Sequence, residues 1–143
     1  AREYIEKLNR PYEYEDLLLI AKGQASAEDT LAETANGVLI VDTTLTVMRV
    51  WSEHKYNRCD PWIIQEEQNR RYDLLLVCDI DLPWEEDPQR EHPHLREHFF
   101  RIYKEYAEAH PSYRLISGGR ATRLDTALRA VGLLSGGSKP PRS

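Results

Sequence analysis

Cysteine is scarce in this chain: Cys59 and Cys78 are the only two in 143 residues. Two thiols make no disulfide framework, which fits a reducing compartment, the cytoplasm. No apolar run approaches the ~20 residues that cross a bilayer. The first residues are charged and no apolar h-region follows, so no signal peptide is read here. Excess basic charge is missing too. Aspartate and glutamate number 24 against 19 lysines and arginines, a net charge of −5. Such a chain is not drawn to nucleic acid or to an anionic membrane by bulk charge. There is no Gly-x-Ser-x-Gly or Cys–His arrangement for acyl chemistry. There is no Gly-x-x-x-x-Gly-Lys-[Ser/Thr] phosphate loop either, and "AKGQASAED" around Gly23 does not match one. Residue 1 is Ala rather than Met, and "AREYIEKL" reads as the inside of a helix. This start suggests a piece of something longer.

Apolar residues make up 41% of the chain, enough for a core. The length suits one domain, read over residues 1–134, with a Gly/Pro/Ser-rich disordered tail over 135–143. Three short apolar runs stand out: "GVLIVD" (37–42), "YDLLLVCDI" (72–80) and "YRLIS" (113–117). Lacking polar alternation, they fit strands buried on both faces. Cys78 is then expected as a buried small residue. Helical periodicity separates the runs. It is carried by Leu17, Leu18, Ala21 and Ala25, by Leu45, Met48 and Trp51, by Leu95, Phe99, Ile102 and Tyr106, and by Leu124, Ala127, Leu128 and Val131. Ile63 and Ile64 mark a short helix or turn after Pro61. Strands alternating with helices predict an α/β fold with a three-layer parallel sheet. Ligands in such sheets bind beyond the carboxyl ends of the strands.

The first run ends in Asp42. Four apolar residues followed by an aspartate is the pattern that holds a carboxylate where it can orient Mg²⁺. The same residue, or Thr43 or Thr44, can instead cap the next helix. The second run leads into "VCDIDLPWEEDPQREHP". Here Trp84 sits among carboxylates, which suits stacking and cation–π attraction to a flat cationic ring. Equally, Trp84 can anchor the loop while the acids are solvated surface. Arg90 and Arg96 either clamp phosphate bidentately or are plain soluble surface. The third run ends "ISGGRATRLDTAL". Gly118 and Gly119 permit a tight turn into a helix N-terminus, a place for a nucleotide or anion, or a plain turn. Ser117 and Thr122 are alternative caps. His92, His94 and His98 lack the further ligands and tight geometry of a zinc site.

Taken together, "EDLLLIAKGQASAEDTLAETANGVLIVDTTLTVMRVWSEHKY", "YDLLLVCDIDLPWEEDPQREHPHLRE" and "LISGGRATRLDTAL" resemble the NadR-type ribosylnicotinamide kinase domain, whose shorter relatives are AAA-like ATP-binding proteins. The resemblance covers roughly residues 1–133. It implies a fold of P-loop nucleoside-kinase type, with ATP and Mg²⁺ as cofactors. The implied reaction phosphorylates the 5′-hydroxyl of nicotinamide riboside. By the same resemblance, Asp42 matches the Walker B aspartate, both catalytic and metal-binding. Trp84 matches the aromatic that stacks on the nicotinamide ring, and Asp87 falls in the substrate-facing acidic motif. Arg90 matches the catalytic lid arginine, and Gly118 and Arg120 match the loop near adenine. Gln24 and Glu28 fall in a family-like Gln-x-x-x-Glu helix. The phosphate-loop strand is expected upstream of Ala1, so the sheet is incomplete on its N-terminal side and this chain alone is expected to be inactive. An adenylyltransferase domain can be fused to such a kinase. The competing readings are a non-catalytic remnant or interaction module that keeps the fold without ATP turnover, and a related small-molecule kinase with another substrate.

Overall fold

The structure, a computed structural model, describes residues 1–86 and 93–136. It divides into two units, residues 1–71 and residues from 72 onward. The first unit is helical: α1 (Arg2–Leu8), α2 (Tyr14–Thr34), α3 (Leu45–Tyr56) and α4 (Pro61–Asn69). Local chemistry sets where these helices begin and end. Glu13 and Asp16 form a capping box at the start of α2, with the Glu13 amide donating to Asp16 at 2.7 Å. Arg10 then grips the same carboxylate with two bonds of 2.8 and 3.0 Å. Asn57 ends α3 in the left-handed conformation at φ 55°. Asp60 opens α4 by accepting from the Trp62 amide at 2.8 Å, with Pro61 in the first turn.

The core of this unit forms where α2, α3 and α4 meet. Leu17, Ile20, Ala21 and Ala25 of α2 pack with Leu45 and Met48 of α3 and Ile63 of α4. Full burial of a side chain such as Leu45 or Ile63 is worth about 1.5–3 kcal/mol. Two buried polar groups are satisfied inside it. Ser52 donates to the Arg58 carbonyl at 2.7 Å. Glu67 accepts from Arg49 at 3.0 Å and from Thr46 at 3.3 Å. Arg70, at the end of α4, ties that helix to α2 through Glu28 (3.3 Å) and Asp29 (2.9 Å), and also holds Glu66 (3.1 Å).

The second unit holds β1 (Leu75–Cys78), a 3₁₀ turn (Pro93–Leu95), α5 (Arg96–Glu108), β2 (Tyr113–Ile116) and α6 (Arg120–Gly136). The strands pair in parallel, with Leu75 opposite Tyr113 and Cys78 opposite Ile116. A parallel pair needs a crossover, and α5 supplies it. At the amino ends of the strands stands His110. Its Nε2 lies 2.7 Å from the Tyr72 carbonyl oxygen, and its Nδ1 accepts from the Ser112 amide at 3.0 Å. Nδ1 also lies 2.7 Å from the Ser112 carbonyl oxygen, so the two ring nitrogens meet carbonyls at both strand entries.

The α/β class and the parallel pairing agree with the sequence reading, and each expected helix forms. The three-layer sheet does not. Among the described residues the sheet has two strands. Residues 37–42 form no strand, because a strand exists only where a neighbour takes its amides and carbonyls. Val38 is 53% exposed and Ile40 79%. Burial on both faces also fails. Val77 and Ile116 are buried, whereas Leu76, Cys78 and Leu115 are exposed, so neither face of the pair is covered throughout. Cys78 is therefore no core residue. The tail beyond residue 136 lies outside the described residues. No described helix is long and apolar enough to cross a membrane.

Candidate functional site

In the second unit, chemistry gathers at the carboxyl ends of β1 and β2. The ladder runs one bond past the strands, from the Asp79 amide to the Ile116 carbonyl at 2.8 Å. Asp79 then turns its carboxylate back: Oδ1 accepts from the Ile80 amide at 2.7 Å and Oδ2 from the Ser117 hydroxyl at 2.8 Å. Two residues on, Asp81 reaches across to the other strand end, where its Oδ2 accepts from the Gly118 amide at 2.6 Å. Gly118 sits at φ 90°, and a Cβ there would stand 3.3 Å from Thr122. Both facts call for glycine.

Arg123 completes the arrangement from the first turn of α6. Its Nε donates to the Gly118 carbonyl at 2.7 Å and its Nη1 to the Ile116 carbonyl at 3.2 Å. Its Nη2 donates to the Asp79 carbonyl at 3.2 Å and to the Asp81 carboxylate. One planar fork thus spans both strand ends, a geometry that lysine cannot supply. The Gly118 amide, with the Arg123 charge beside it, holds the Asp81 carboxyl below the usual carboxylate range. From the other side, Arg96 at the start of α5 donates to the Leu82 carbonyl. That bond employs Arg96 in fixing the loop after β1. Trp84 stands half-buried on this loop, next to exposed Glu85 and Glu86.

Arg120 is exposed at the first position of α6, directly after the Gly118–Gly119 turn. Asp87, Arg90 and His92 lie outside the described residues. Asp79, Asp81 and Arg123 are not among the residues that the sequence alone singles out. In the chain Arg123 looks like a soluble helix arginine. The available signal was a glycine turn followed within one helical turn by arginine, opposite a strand ending Asp-x-Asp.

Asp42 belongs to the first unit. It is exposed and, among the described residues, accepts one long bond, 3.4 Å, from the Thr43 hydroxyl. Thr43 itself has φ 65°, a left-handed conformation unusual for a β-branched residue, which costs on the order of 1–3 kcal/mol. Strain of this kind gathers at functional turns. None of the caps expected around α3 forms through a side chain: Thr44 holds the N-cap position without a side-chain bond. No described group of three or more His, Cys, Asp or Glu can cage a metal. A lone exposed carboxylate fits Mg²⁺ shared with nucleotide phosphates, since that ion takes one or two carboxylates and keeps its other positions for water and phosphate. A depression of about 330 Å³ beside Glu28, Glu66 and Arg70 also lies in this unit. Arg70 there is already committed to three carboxylates.

Comparison with known families matches residues 1–123 to the AAA domain. No curated protein and no solved structure matches the chain. The matched stretch includes Asp42, the whole loop after β1, the Gly118 turn and Arg123. The chain belongs to the AAA domain family, and thereby to the P-loop nucleotide-binding proteins.

Proposed function

We propose that this chain is the acceptor-binding and metal-orienting part of an ATP-dependent kinase, and that its acceptor is nicotinamide riboside. The reading rests on one observation: the half-buried Trp84 stands directly before exposed Glu85 and Glu86, on a loop pinned at the carboxyl end of a parallel strand. A π-face within a negatively charged loop favours a flat cation, and the pyridinium ring of nicotinamide riboside is one. The reaction moves the γ-phosphoryl group of ATP to the 5′-oxygen of the riboside. The bond from the γ-phosphorus to the bridging oxygen breaks, ADP leaves, and the hydroxyl proton goes to a base or to water. Asp42 is the residue that would hold Mg²⁺, which supplies charge neutralisation at the phosphates. Trp84 binds and orients the ring. Gly118 and Arg120 border the nucleotide base, Asp87 adds to the acidic side of the acceptor, and Arg90 serves the transferring phosphoryl group. The phosphate-cradling amides and lysine are not residues of this chain.

A second reading keeps nucleotide or partner binding without turnover. It is favoured by a fact of the sequence, the lack of a Gly-x-x-x-x-Gly-Lys-[Ser/Thr] motif in these 143 residues. Steady-state kinetics on the full-length protein containing this chain, with nicotinamide riboside and other nucleosides as acceptors, separate the two. Trp84→Ala should raise the KM for the riboside by roughly threefold to thirtyfold, the worth of one cation–π contact, with the KM for ATP unmoved. Asp42→Asn should lower kcat and weaken the dependence on Mg²⁺. ATP consumption indifferent to the riboside would defeat the acceptor assignment.

A further inference from the structure

We infer that Asp81 and Arg123 are positioning residues that join the acceptor loop after β1 to the nucleotide loop after β2, so that nucleotide at one loop orders Trp84 on the other. The inference rests on the proposed function for the identity of the two ligands. The connection itself rests on geometry. Two loops leaving adjacent parallel strands usually share only the ladder, which ends here at the Asp79 amide. Beyond that point three further links cross from one loop to the other. They run from the Gly118 amide to the Asp81 carboxylate, from the Ser117 hydroxyl to the Asp79 carboxylate, and through Arg123 to the backbone or side chains of both. Two of them depend on Asp81 or Arg123.

The Asp81 carboxylate also decides what the Gly118 turn can accept. An amide next to a glycine turn at a helix start ordinarily invites an anion. Here an internal carboxylate already takes that amide at 2.6 Å. A phosphate placed there would meet like charge, whereas a neutral base would not. Any movement of the turn to admit a base must carry Asp81 with it. Asp81 lies three residues before Trp84, and Leu82 between them is held by Arg96. The short path from the turn to the ring therefore has little slack.

The test uses the full-length protein, ATP and nicotinamide riboside. The Trp84 indole resonance, assigned by comparison with Trp84→Phe, is followed by NMR as ATP is added. Arg123→Lys keeps the charge but not the four-acceptor span, and Asp81→Asn keeps the shape but not the charge. In both, the ATP-induced shift of Trp84 should shrink to a small fraction of its normal size. The KM for the riboside at saturating ATP should rise roughly tenfold, as loss of a charge-assisted link predicts, while the Kd for ATP changes less than about threefold. A purely structural role would move both ligands together. If one variant fails to fold, the other carries the comparison. A normal Trp84 response in the folded variants overturns the inference and leaves the kinase reading standing. A wild-type protein that binds ATP with no response at Trp84 does the same. A wild-type protein that binds no ATP removes the kinase reading and the inference together.

Discussion

The two units are of similar length and are built on different priorities. In the first, α2, α3 and α4 bury a continuous set of aliphatic side chains, and the bonds of Ser52 and Glu67 close inside that core. In the second, burial is thin. Val77, Ala107, Ile116 and Ala130 are covered, while Leu115, Leu124, Leu128 and Leu133 stand exposed. Its order comes from directional bonds at the two ends of a four-residue ribbon. Apolar burial is tolerant of small movements, whereas hydrogen bonds are not. A unit held by the former makes a support, and one held by the latter makes a site whose geometry responds to what binds.

Core truncation should break this contrast most visibly. Ile63→Ala, at a position only 1% exposed, should lower unfolding free energy by about 2–5 kcal/mol. Leu115→Ala, at 36% exposed, should cost under about 1 kcal/mol. Denaturant titrations of both variants measure it, and equal losses would erase the distinction. Next in size is Glu67→Ala. It strands the buried Thr46 hydroxyl and removes a partner of Arg49, for a loss of about 1–3 kcal/mol. A change within error would show that water replaces the carboxylate freely.

Acid should probe each unit through one carboxylate. The Arg10 side chain, with the Glu13 amide, holds Asp16 below the usual range, as Gly118 and Arg123 do for Asp81. A depressed folded-state pKa means that the stabilisation is complete above the ordinary value of about 3.9 and is lost as pH falls through the folded-state value. Amide exchange followed from pH 5 downward, about one unit above that ordinary value, should show the start of α2 and the Gly118 turn loosening below it. Asp16→Asn should abolish the first of these responses and spare the second. Loss of both in that variant would mean that the acid effect is global.

The helices were legible because a 3.6-residue period is local: α2, α3, α5 and α6 each carry their own stripe. The residues 37–42 misled because an apolar run declares only that it is to be covered, not what will pair with it. Cys78 misled for a related reason, since the covering of a strand face depends on elements far away in sequence. Of the arrangement at the strand ends, the turn at Gly118 was readable from the Gly-Gly pair. Arg123 was not, because a fork that spans four acceptors leaves no mark in the chain beyond one more basic letter on a helix.

The His110 ring bears on how the ribbon fails. Two strands of four residues should fray from either end within the time of a local fluctuation. Here an imidazole closes the entrance and a guanidinium the exit. Opening from one end must first break a side-chain bolt, and the interior bonds gain nothing from the other end being loose. The ribbon should therefore open in one step, and the slowest amides to exchange with solvent should lie along its whole length rather than at its centre.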